Sequence, residues 1–174
     1  MAEAFLRHRL GALGVEARVS SAGLLFDDVA APAEGVAAMA AAGFDTSAHR
    51  SRRVAADMIL GADLVLGMAR EHLRHAVVLA PPAWPRTFTL KELVRRAEQT
   101  GPRASGQPFD EWLAKVHAGR STDMLAGASR HDDVADPIGQ GPEVYGRVAE
   151  EIDALTARLV ELGWRRATTG GART

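Results

Sequence analysis

The sequence predicts an α/β domain: a three-layer sandwich in which a short, mostly parallel sheet is flanked by helices on both faces. Three observations carry this. Strand-like stretches at 15–23, 62–68 and 86–90 alternate with stretches of helical periodicity. The run Leu64-Val65-Leu66 is apolar on both faces, the pattern of a strand covered by helices above and below. The segment opened by Pro142 repeats Val144, Val148, Ile152, Leu155, Leu159 and Leu162 at spacings of three and four, which makes one wide apolar helix face.

The elements follow in order. A helix is expected from Met1 to Leu13, with Phe5, Leu6, Leu10 and Leu13 on one face, Glu3 at its positive end and Gly14 as a stop. No residue precedes it to act as N-cap, although a core-facing helix normally follows one. Val15 to Gly23 alternates apolar and polar residues and ends in a small-residue turn, so it reads as a strand entering a loop. Pro32 opens a second helix over residues 33–42, stopped by Gly43. A short amphipathic piece at 55–61 leads to the strand at 62–68. The helix over residues 70–79 then turns Leu73, Val77 and Val78 inward until Pro81-Pro82 ends it. A strand at 86–90 feeds a helix from Lys91 to about Thr100, and further helices are expected over 109–117 and 142–164. Residues 119–129 read as loop. The domain spans 1–164, and residues 165–174 read as a frayed tail.

Composition narrows the function. With 174 residues, 47% hydrophobic content and a formal net charge of -1, the chain makes one globular domain and implies no polyanion partner. The arginines at 50, 52 and 53, 70 and 74, 95 and 96, and 165 and 166 are scattered without interleaved aromatics, so they read as a solvated face and not as a nucleic-acid surface. The chain contains no cysteine, which rules out disulfides, thiolate metal sites and a cysteine nucleophile within these residues. No apolar run approaches the ~20 residues of a membrane span, so no membrane partner is expected and a cytoplasmic location is the default. No Gly-rich nucleotide loop is present, and no cofactor is implied. His72 and His75 can share a helix face, yet without an acidic cluster beside them an exposed pair explains them better than a metal site. His131, Asp132 and Asp133 could bind a divalent ion, but a turn explains them more simply.

The most informative loop runs from His131 to Pro142 and keeps apolar residues around one carboxylate. Pro137 biases Asp136 toward an extended backbone, which lets the side chain project. Between Ala135 and Ile138 such a carboxyl can be raised in pKa and serve as a proton donor. The alternative is a plain turn aspartate before proline.

With these residues in hand the chain resembles the low-molecular-weight protein tyrosine phosphatases and their arsenate reductase relatives. The resemblance runs over nearly the whole chain: Met1-Ala2-Glu3-Ala4, Ser20-Ser21-Ala22-Gly23, His49-Arg50-Ser51-Arg52, the stretch from Ala62 to His72, and Asp133-Val134-Ala135-Asp136-Pro137-Ile138-Gly139 occur in the family's order. It implies that Asp136 is the general acid and base. It further implies that Met1, Ala2 and Glu3 start the helix beside the phosphate-binding loop, that Ser21 braces that loop rather than acting as a nucleophile, and that Phe26 either walls an aryl pocket or simply packs. The family's tyrosine pair after Asp-Pro is replaced by Ile138 and Gly139, which departs from a phosphotyrosine pocket.

In the family a central strand and a Cys-x5-Arg-Ser-Pro loop come immediately before Met-Ala-Glu-Ala. The thiolate attacks phosphorus, the arginine grips the phosphate, and the aspartic acid protonates the leaving group. Both the first strand and that loop are missing from this sequence, so it is expected to be N-terminally truncated or mis-started and inactive as written. A central strand contributes several backbone hydrogen bonds at about 1 kcal/mol each and several buried side chains at about 1.5–3 kcal/mol each, a total that rivals the stability of a domain. An intact version would act on a phosphorylated protein or a small aryl phosphate. The alternative is a non-catalytic relative that binds phosphate or a partner. An arsenate reductase reading needs cysteine chemistry as well.

Overall fold

The computed structural model describes residues 1–164, so the tail expected at 165–174 lies outside the described residues. Two parallel strands, β1 (Val65–Gly67) and β2 (Thr87–Thr89), pair Val65 with Thr87 and Gly67 with Thr89. Seven helices surround them: α1 (Ala2–Ala12), α2 (Ala33–Ala41), α3 (Ala56–Leu60), α4 (Arg70–Leu79), α5 (Leu90–Thr100), α6 (Phe109–His117) and α7 (Pro142–Gly163). Short 3-10 turns occupy Pro81–Arg86 and Thr122–Leu125, the second inside the stretch expected to be plain loop. The expected α/β architecture is present, with α4 as the crossover between parallel strands.

Alternation along β1 shows why both faces of the sheet are apolar. Leu64, Leu66 and Met68 pack on the main core with Phe5, Phe88, Trp112 and Ile152, whereas Val65 packs on a smaller cluster of Ile59, Ala76, Ala80 and Ala83. The spine of the main core is α7, against which α1, α2 and α5 all lie. Phe5, Leu6 and Leu10 of α1 are buried as their spacing predicts, and Gly14 closes that helix at φ 69°, a conformation that favours glycine. At α5, Thr89 caps the helix by accepting the Glu92 N–H at 3.1 Å, so the helix begins one residue earlier than expected, at Leu90.

Three expectations are corrected. Residues 15–22 form no strand: Val15 and Val19 pack on the core, but the only bridge there is a single one between Gly23 and Arg53, because no neighbouring strand among the described residues supplies a ladder. Residues 64–66 are half-buried instead of fully buried, since β1 is paired only with β2, whereas the three residues of β2 are buried throughout. On α4, Val78 points outward at 80% exposure and Ala76 takes the inward place beside Leu73. Among the described residues no helix is long and apolar enough to cross a membrane.

Gly67 marks the tightest approach in the sheet. A Cβ there would lie 2.6 Å from Leu73 Cδ1, 3.0 Å from His72 Cβ and 3.2 Å from the Ala69 carbonyl oxygen. Gly67→Ala is expected to cost about 1–3 kcal/mol by overpacking. It should lower the urea midpoint at unchanged slope, and an unshifted midpoint would contradict this packing.

Candidate functional site

The loop carrying Asp136 hangs from the carboxyl end of β1. Val134 N–H donates to the Met68 carbonyl at 2.8 Å and the Val134 side chain is buried, which fixes the loop two residues before Asp136. Asp136 itself is exposed, as are Ala135 and Ile138, so the apolar flanks expected around its carboxyl are absent. Its side chain folds back instead of projecting: Oδ1 accepts the Ile138 N–H at 3.0 Å, a local turn that competes with extension before proline.

Next to it lies a residue that sequence reasoning missed. Tyr145, on the first turns of α7, is buried, and its hydroxyl is pushed above its ordinary pKa by burial, then by the carboxylates of Glu34 and Asp136. The Tyr145 ring also backs onto α2, where a Cβ on Gly35 would meet Tyr145 Cε1 at 3.4 Å and Met1 Cε at 3.9 Å. The Tyr145 ring and the Met1 side chain thus both face Gly35 of α2, and the charge of Asp136 acts on the Tyr145 hydroxyl.

At the start of α1, Glu3 receives hydrogen bonds from Ser21 and Arg7. Burial works against its charge, but these bonds and the Arg7 cation outweigh it and hold the carboxyl below its ordinary range. Arg7 also donates to the Val19 carbonyl at 3.0 Å, and Arg52 Nε donates to the Ser21 carbonyl at 2.7 Å. Met1, Ala2, Glu3 and Ser21 therefore form one assembly, in which Ser21 fastens the extended segment to the helix. Phe26 stands apart at 58% exposure, on a loop clamped through Asp28 N–H to Ser51 O and Ser51 N–H to Val29 O, with no aromatic contact to the others among the described residues.

Arg70, Arg74, Arg95 and Arg96, expected on a solvated face, instead fasten loops. Arg70 donates to Asp132 Oδ2 from Nη2 (2.7 Å) and Nε (3.2 Å), while Arg95 Nη2 reaches Oδ1 at 2.9 Å. Arg74 Nη1 donates to the carbonyls of Leu125 (2.6 Å) and Gly127 (2.8 Å). Arg96 holds Val116 O and Ala118 O at 2.8 and 2.6 Å. Scatter along the sequence concealed this, because each arginine acts on a loop many residues away. His72 caps α4: Nδ1 accepts the Met68 and Ala69 N–H groups at 3.2 and 3.1 Å, doing the capping that Ala69 cannot. Asp132 and Asp133 spend their oxygens on Arg70, Arg95 and the Ser129 N–H, and among the described residues no three His, Asp or Glu gather as metal ligands.

Burial raises the cost of charging Asp132, yet the hydrogen bonds from Arg70 and Arg95 prevail and lower its pKa. A lowered folded pKa contributes stability that is fully present above the unfolded value of about 3.9 and is lost as pH falls through the folded one. Urea melts from about pH 5 to about pH 2.5 should show a steeper loss for this chain than for Asp132→Asn. Equal slopes would remove Asp132 from the acid response.

In α/β domains ligands collect at the carboxyl ends of parallel strands, and the Asp-Pro loop lies at that end of β1. The sequence profile described as Low molecular weight phosphotyrosine protein phosphatase matches residues 1–116. No curated protein matches the sequence. Among solved structures, the low molecular weight protein tyrosine phosphatase from T. tengcongensis is 30% identical at a TM-score of 0.67, over 92% of this chain and 87% of that one. The YwlE arginine phosphatase from Geobacillus stearothermophilus is 27% identical at a TM-score of 0.64, over 92% and 80%. Wzb from Escherichia coli K30, solved with sulphate, shares the fold at 19% identity and a TM-score of 0.64, over 92% and 85%. The chain belongs to the low molecular weight phosphotyrosine protein phosphatase family.

Proposed function

We propose that this domain serves phosphomonoester hydrolysis, with Asp136 as general acid and base, the α1 start and Ser21 bracing the phosphate-binding loop, and Phe26 as an outlying wall for the phosphorylated group. The observation that carries this is the anchored loop: Val134 ties the segment bearing Asp136 to Met68 at the end of β1. In the reaction Asp136 donates a proton to the departing oxygen, then takes one from the water that cleaves the phosphorylated intermediate. The substrate class is a phosphorylated protein or a small aryl phosphate.

The 174 residues include no cysteine, so the nucleophile of the family reaction is not among them, and turnover by these residues alone is expected to be absent. That same composition favours a second reading, a phosphate- or partner-binding relative without catalysis. The deciding experiment joins an apolar strand and Cys-x5-Arg-Ser-Pro to Met1 and assays phosphotyrosine and phosphoarginine peptides with and without Asp136→Asn. Hydrolysis that needs Asp136 supports the first reading. Phosphate binding without turnover in the joined chain supports the second.

A further inference from the structure

We propose that Asp132 is a positioning residue for Asp136: its buried carboxylate, gripped by Arg70 and Arg95, fixes the loop on which the acid stands. The proposal rests on the reading of Asp136 as the acid. Asp132 is 3% exposed although it lies in a surface loop of turn formers, and its two oxygens are taken by guanidinium groups from two different helices, Arg70 of α4 and Arg95 of α5. The next residue continues the grip. Asp133 Oδ1 accepts the Arg70 N–H at 2.8 Å, Oδ2 accepts the Ser129 N–H at 2.7 Å, and its carbonyl accepts Lys91 Nζ at 2.9 Å. Lys91 in turn pairs with Glu151 of α7 at 2.6 Å. Val134 then bonds to Met68, and only Ala135 separates that anchor from Asp136.

The loop thus has one register in which these groups are paired. Sliding it by a residue would leave a buried carboxylate unpaired and take the carboxylate partner from both guanidinium groups, a penalty far larger than the freedom gained. Asp133 reaches α4 through its carboxylate and α5 through its carbonyl and Lys91, while Asp132 bridges α4 and α5 through a single buried carboxylate, so the two residues together fix the loop over the sheet. Asp136, exposed and bonded only within its own turn, inherits its position from this clamp.

The test uses the 174-residue chain and two variants, Asp132→Asn and the milder Arg95→Gln, followed by amide hydrogen exchange and NMR. In Asp132→Asn the Val134 amide should exchange at least about tenfold faster relative to the Leu159 amide in α7, and in Arg95→Gln about two- to threefold faster. The Ile138 amide resonance should move toward its unfolded-chain position in both, as its bond to Asp136 loosens. Unchanged Val134 exchange and Ile138 resonance in folded variants would overturn the proposal. So would acceleration of Val134 in step with Leu159, which would reduce Asp132 to general support of the domain. Should Asp132→Asn not fold, Arg95→Gln decides by the same comparison. Absence of hydrolysis in the joined chain would remove the acid role while leaving this result standing, so the two ideas fail separately.

Discussion

Replacing Glu92 by alanine is expected to cost about 3–5 kcal/mol, a large part of the roughly 5–15 kcal/mol that holds a domain of this size folded. The reason is Arg120, whose side chain is 0% exposed. Its guanidinium lies between the rings of Trp84 and Phe88, 3.8 and 4.0 Å from their centroids, and donates to Glu92 at 2.7 and 2.9 Å and to the Thr87 carbonyl at 2.8 Å. Burial pulls the Arg120 pKa down and Glu92 pulls it back up. Without the carboxylate, a cation remains in an aromatic slot with both of its charge-assisted hydrogen bonds lost. Equilibrium urea unfolding measures the cost, and a loss under about 1 kcal/mol would show that the pair is dispensable. The double variant Glu92→Leu with Arg120→Met should recover most of the loss, since an apolar pair of similar volume carries no desolvation penalty.

In the chain joined to a Cys-x5-Arg-Ser-Pro segment, Asp136→Asn is expected to lower turnover of phenyl phosphate by about 10²-fold or more. A phenolate is a strong base and leaves slowly unless it is protonated as it departs. For para-nitrophenyl phosphate the loss should be much smaller, because that leaving group is stable as an anion. The contrast between the two substrates separates an acid from a residue that merely supports the fold, which would slow both alike. Equal losses in kcat/KM, which reports only the steps through departure of the phenol, would rule out proton donation by Asp136.

Periodicity made most of the fold readable. The 3.6-residue repeat in α1 and α7 places Phe5, Leu10, Val148, Ile152 and Leu159 in the core, because burial against a large core overrides weaker local preferences. The segment at 15–22 misled for the opposite reason: alternation states that one face is buried, but a strand also needs a neighbour to bond, which no local pattern supplies. The start of α5 was read one residue late because its cap is Thr89, which accepts the Glu92 N–H, while Glu92 gives its carboxylate to Arg120 and not to the cap. Of the site, Asp136, Ser21 and the α1 start were legible only through the order of short motifs along the chain. Tyr145, Asp132 and the arginine fastenings were not, since their partners lie far along the chain: Arg70 and Asp133 are 63 residues apart, and Gly35 lies further still from Tyr145.

The carbonyl-directed arginines give the surface loops a fastening whose strength does not depend on any partner's protonation. Arg74 on Leu125 and Gly127, Arg96 on Val116 and Ala118, Arg86 on Ala62 and Leu60, and Arg103 on Gly163 and Gln107 all end on neutral oxygens. Acid that discharges Asp132 leaves every one of these bonds in place, and salt that screens ion pairs reaches them less. Lysine, with no planar fork to span two carbonyls, is a poor substitute at each position.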